Sequence, residues 1–194
     1  MPSIVERVRE HIQDPWRATS MSAFTPRQHS LYPPATLAMV KAAEAKMGLH
    51  LPALLVGLYT LVGNGGFGPG YGIFGLEGGY VDQELIAEAQ GGTLVDWYVT
   101  FRGTDDRIPE LQYEPISDEK SSLFIDREPR PDQWTWFDKL VPICNHGCWQ
   151  LSCIDCSKAD FPVLRYDGQQ SKLRLESPTF DQWIGKWLNS IETK

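Results

Sequence analysis

Apolar residues recur at helical spacing through the front of this chain and in short strand-like runs through its back, and that segregation is the strongest constraint on the fold. A chain that interleaved the two patterns would build parallel βαβ units. One that separates them builds an α+β domain. At the front, Ser3-x-x-Glu6 is a capping-box signature ahead of Ile4, Val8 and Ile12, and Pro15 ends that helix. Residues 15–34 hold Pro15, Pro26, Pro33 and Pro34 among Ser and Thr and read as an irregular connector. Residues 35–47 read as a helix closed by Gly48. Pro52 opens another, carrying Leu54, Leu55, Leu58, Leu61 and Val62 into Gly63-Asn64-Gly65-Gly66.

Residues 71–76 predict a short strand and residues 84–90 a helix. The stretch 93–101 is rich in strand formers. Yet Leu94, Trp97, Tyr98 and Phe101 share one helical face, with Thr93 placed to cap it and Gly103 to end it, so a helix is expected. Residues 104–133 are polar and punctuated by proline, with a short strand at 122–125. Strands follow at 140–144, 149–155, 163–166 and 173–175. Ser177-Pro178 then opens a last helix whose stripe is Phe180, Trp183, Ile184, Trp187, Leu188 and Ile191. At 194 residues the chain is one domain in size, read as an N-terminal helix and connector over 1–34 and a domain over 35–191.

Charge narrows the function. Net charge is −7, but residues 77–119 alone hold 2 basic and 11 acidic groups, a local balance of −9. Such a segment repels phosphate backbones and anionic membranes, so neither nucleic acid nor membrane is expected as a partner, and a basic protein is. No apolar run reaches the length of a membrane span, and the charged N-terminus lacks the apolar core of an export signal. A cytoplasmic protein with reduced cysteines is the expectation.

Three motifs invite chemistry. Gly63-x-Gly65-x-x-Gly68 matches the dinucleotide fingerprint in letters, but that fingerprint needs a strand before it and a helix after it. Here a helix precedes, so the nearest dipole end is the negative one, and Asn64, Gly65 and Gly66 read as a structural loop with positive φ at Asn64 or Gly65. Cys144, Cys148, Cys153 and Cys156, with His146 among them, raise a zinc or thiol site. Only the last pair has C-x2-C spacing. On a strand over 148–155, Cys148 and Cys153 would face opposite ways, so small buried thiols explain the set and no metal or other cofactor is expected. The histidines are His11, His29, His50 and His146; only His146 lies near possible nucleophiles, in an Asn145-His146-Gly147 run that reads as a hairpin turn. No catalytic residue is assigned and no enzyme is expected.

The order helix, Leu51-Pro52, helix, Asn64-Gly65-Gly66 and a glycine-rich entry into Tyr71-Gly-Ile-Phe-Gly-Leu76 resembles the opening of the SUKH superfamily. The run from Leu140 through Trp149 to Cys156 is similar to its central hairpin, and Pro162-Val163 with the Phe180, Trp183, Trp187 helix to its closing elements. The resemblance spans about residues 35–191. It implies a single α+β domain with a mostly antiparallel central sheet flanked by helices, and neither catalytic residues nor a cofactor. For bacterial members it implies an immunity protein that neutralises a toxin, often a nuclease; for fungal members, a regulatory scaffold of the Smi/Knr type. A basic toxin domain is the expected partner, with Asp105, Asp106, Glu110 and Glu114 as the charged contact surface and Trp134 and Trp136 as an aromatic alternative. A zinc- or thiol-dependent protein built on Cys144–Cys156 stands third.

Overall fold

Ser3 and Glu6 exchange hydrogen bonds, Glu6 N donating to Ser3 Oγ at 3.2 Å and Ser3 N to Glu6 Oε2 at 2.7 Å, and this box starts helix α1 (Ile4–His11). The computed structural model describes residues 2–13, 32–82, 92–102, 122–123, 137–169 and 172–192. Helix α2 (Leu37–Met47) is capped by Thr36, whose Oγ1 accepts from Met39 N, and it ends at Gly48 with φ +70°. Helix α3 (Ala53–Leu61) follows Pro52. Helix α4 (Leu94–Arg102) settles the ambiguous stretch: Thr93 Oγ1 accepts from Asp96 N while Asp96 Oδ2 accepts from Thr93 N, a reciprocal cap that strand propensity does not overcome.

Among the described residues, five strands form one antiparallel sheet in the order β1-β5-β4-β3-β2: β1 (Ser122–Leu123), β2 (Leu140–Asn145), β3 (Gln150–Asp155), β4 (Val163–Asp167) and β5 (Lys172–Ser177). This is the expected α+β architecture. The last helix, α5 (Phe180–Glu192), begins two residues later than Ser177-Pro178 suggests, because Thr179 caps it through Gln182 N. The expected strand at 71–76 shrinks to one bridge, Ile73 to Cys144, with Tyr71 N and Phe74 N donating to Asn145 O and Ile143 O of β2. Gly72 at φ +103° turns the backbone out of the pleat, so the pairing cannot propagate. The helix expected at 84–90 lies outside the described residues.

Cross-strand partners share a face. Register therefore puts Leu151, Tyr166 and Leu173 on one side of the sheet and Cys144, Ser152 and Arg165 on the other. The Phe101 ring of α4 meets Tyr166 edge-on at 6.1 Å on the first side. On the second, Trp183 of α5 hydrogen-bonds to Glu176. Both faces are thus covered, which is why every residue of β2 is buried. Helix α1 joins the same core: Val8 is fully buried, Arg7 Nη2 donates to Asn189 Oδ1 at 3.1 Å, and the His11 ring packs edge-on to Trp187 at 5.3 Å.

Within α5, a carbon added at Gly185 would meet nothing within 4 Å. Gly185→Ala is expected to raise stability by about 0.5–1 kcal/mol, because alanine loses less backbone entropy in a helix. A denaturation midpoint that stays put or falls would show that position 185 has no such room.

Candidate functional site

The end of the sheet where β2 turns into β3 gathers the chemistry-bearing side chains. Asn145 closes β2 and is buried; its Nδ2 donates to Asp82 Oδ2 at 2.9 Å and its Oδ1 accepts from Gly147 N at 2.8 Å. His146 follows, with Nε2 2.9 Å from Ser152 Oγ and 3.2 Å from Cys144 Sγ. Ser152 Oγ donates to Glu176 Oε2 at 2.5 Å, and Arg165 holds the same carboxylate through Nε and Nη2. Ser152 has one proton and it goes to Glu176, so the hydroxyl accepts from His146 Nε2–H.

That assignment decides what the cluster can do. A histidine already carrying its proton on the nitrogen facing serine cannot serve as that serine's general base. Burial, then the Arg165 charge, pull the His146 ring down to about 4, so it is neutral near pH 7. Burial, then the Glu176 charge, push the Cys144 thiol up to about 12, and neither Cys144 nor Ser152 has any exposed surface. Burial pushes the Glu176 carboxyl up, but Arg165, Ser152 and Trp183 more than offset it and hold the group below the usual carboxylate range. The arrangement ties four strands together and presents no activated nucleophile.

The four cysteines do not converge. Cys144 and Cys153 are buried on neighbouring strands, but Cys153 opposes Pro142 while Cys144 opposes Ser152. Cys148 is exposed in the turn rather than on β3. Cys156 lines a cleft of about 640 Å³ with Lys41, Glu44, His50, Lys139 and Phe161. Among the described residues, no group of three or more His, Cys, Asp or Glu side chains is arranged to hold a metal ion.

The glycine loop is filled by its own chain. Asn64 is buried, its Oδ1 accepting from Leu76 N at 2.8 Å and its carbonyl from Tyr80 N at 2.9 Å. Gly65 and Gly66 both stand at φ +82°, and Gly66 N donates to Ile73 O. The amides that would cradle a phosphate are occupied, and the loop serves as a clasp on residues 73–80.

The hairpin tip differs from the sequence reading. Asn145-His146-Gly147 lead into it, but the two tight central positions are Cys148 and Trp149, at φ +51° and +60°, closed by Gln150 N donating to Gly147 O at 3.0 Å. Positive φ at both central residues is the type I′ pattern, which favours Asn-Gly. Trp149 is 42% exposed. Sequence reading placed it at the start of a strand; the signal that it lies in the turn is the Asn-His-Gly run just before it.

Asp105, Asp106, Glu110, Glu114, Trp134 and Trp136 all lie outside the described residues. Of the acidic residues of 77–119 that are described, Asp82 is buried against Asn145 and Asp96 caps α4, while Glu77 is exposed. Among the described residues, no helix is long and apolar enough to cross a membrane. The model of the SMI1 / KNR4 family (SUKH-1) matches residues 34–186. No curated protein and no solved structure matches the chain.

Proposed function

The chain belongs to the SMI1 / KNR4 family (SUKH-1), and from that membership we propose that it is a non-enzymatic protein-binding module, an immunity protein that neutralises a basic toxin domain in the cytoplasm. The observation that carries the reading is the balance of −9 over residues 77–119 in a chain whose flanks are near neutral. A toxin that cleaves nucleic acid must present a basic surface to hold its substrate. An acidic inhibitor is steered to that surface and competes there with the phosphate backbone, so a nuclease is the toxin class that fits. Asp105, Asp106, Glu110 and Glu114, in the polar and proline-punctuated stretch 104–133, are the proposed contact residues. The full burial of Ser152 and Cys144, and the commitment of the Ser152 proton to Glu176, support a binding rather than a catalytic role.

Changing those four carboxylates to lysine is expected to slow association with a cognate toxin by about 10-fold or more at low salt, with dissociation little altered. Association of the unaltered protein is expected to slow steeply with ionic strength. The measurement is a salt series of association rates for both proteins. Equal rates and a flat salt dependence would remove the acidic segment from the mechanism.

A further inference from the structure

Left-handed backbone is disfavoured for a residue with a side chain, and a fold keeps it where something else requires it. Among the described residues four non-glycine positions stand there. Cys148 and Trp149 form the β2–β3 turn. The other two, Lys139 at φ +64° and Phe161 at φ +49°, line one and the same cleft, that of about 640 Å³ beside the second half of α2. Lys139 is the third residue of the turn that Leu140 N closes on Phe137 O at 3.2 Å, a position where positive φ calls for glycine or asparagine. Its carbonyl accepts from Cys156 N at 2.9 Å, which ties that backbone to the end of β3, while the residue itself is exposed. Phe161 N donates to Lys158 O at 3.2 Å, and this second turn brings the ring to the cleft wall. Strain kept at two separate turns that border one cavity points to a ligand site.

The cleft has the size of a small-molecule site, and the charges on its lining select the ligand. Lys41 of α2 and Lys139 reach it from different elements, and neither forms an ion pair among the described residues. Glu44 is the one carboxylate on the described lining, and it is committed: Oε1 accepts from Leu51 N at 2.8 Å and Oε2 lies 3.7 Å from His50 Nδ1. Close by, Asp138 faces Arg102 at 3.6 Å, Asp155 is buried and accepts from Ser157 N, and Lys158 and Asp160 offset each other. Burial, then the Asp155 charge, push the Cys156 thiol up to about 12, so it borders the cleft as a neutral group. We propose that this cleft binds a small amphipathic organic anion, its apolar body against Phe161 and Leu49 and its acidic group met by the Lys41 and Lys139 ammonium groups. None of these residues belongs to the segment 77–119, so the site is independent of the acidic surface.

The probe is anilinonaphthalene sulfonate, titrated into the full-length folded protein, with phenylnaphthylamine, the same rings without the sulfonate, as its neutral counterpart. The sulfonate is expected to shift the backbone amide resonances of Cys156 and Phe161 in NMR spectra. Lys41→Gln combined with Lys139→Gly is expected to weaken the sulfonate about three- to tenfold and to leave the neutral probe unchanged. Lys139→Gly alone is expected to melt at an unchanged or higher temperature, because glycine adopts φ +64° without strain. No sulfonate binding, resonances that move elsewhere, or a double variant that weakens both probes equally or neither would each overturn the anion site, and all leave the acidic-segment reading standing. A Lys139→Gly protein that melts well below the unaltered one overturns it too, because the lysine would then be kept for stability.

Discussion

Gly65→Val should destabilise the fold by about 3 kcal/mol or more, the sum of left-handed strain and overpacking against atoms that cannot move aside. Gly65 stands at φ +82°, and a carbon on it would lie 2.7 Å from both Gly75 N and Ile73 O and 2.8 Å from Gly75 Cα. All three are backbone, so no rotamer change relieves the contact. The strand-like segment they belong to is bonded to β2 through Phe74 N and to Asn64 through Leu76 N, so displacement spreads into the sheet edge. Gly48 supplies the control. Its φ is +70° but nothing lies within 4 Å, so Gly48→Ala carries strain alone, about 1–2 kcal/mol. Denaturant midpoints at constant slope separate the two. If Gly65→Val melts like the unaltered protein, the loop is not the clasp described above.

What the sequence disclosed is what local rules govern. Ser3 and Glu6, Thr93 and Gly48 announce helix ends through bonds made within four residues, and each acts as such in the structure. The hairpins β2–β3 and β4–β5 follow from short apolar runs with turn residues between them. The polar cluster was not legible, because Cys144, Ser152, Arg165 and Glu176 come from four strands and meet only through register. One residue of slip would send them to opposite faces. Trp149 was misplaced for a related reason: its β propensity put it in a strand, whereas the pairing of Leu151 with Tyr166 and the bond from Gly168 leave it in the turn. The acidic segment was legible as a sum but not by member. Asp82 and Asp96 count toward it in the sequence yet face Asn145 and the α4 cap in the structure.

Acid should weaken the protein before its carboxylates titrate, and His146 is the reason. Its ring is held down to about 4 by burial and by Arg165, against an ordinary value of 6.5. Between those values the unfolded chain carries a proton at residue 146 that the native state refuses. The unfolded state therefore binds more protons, and stability falls as pH falls. By pH 4 the loss should reach about 2 kcal/mol, after allowance for the ring's partial exposure. Glu176 acts in a lower window. Its folded value is depressed below 4.5, so its contribution is present above 4.5 and is lost as pH falls through the depressed value. The span from 6.5 to 4.5 thus separates the histidine from its carboxylate neighbour. His146→Gln keeps a donor for Ser152 but cannot titrate, and it should remove this part of the slope whatever its effect on stability at pH 7. The comparison needs denaturation free energies at half-unit pH steps for both proteins, so that slopes contributed by the other histidines cancel. An equal slope in the two proteins between pH 6.5 and 4.5 would show that residue 146 titrates freely and that the buried network does not hold it neutral.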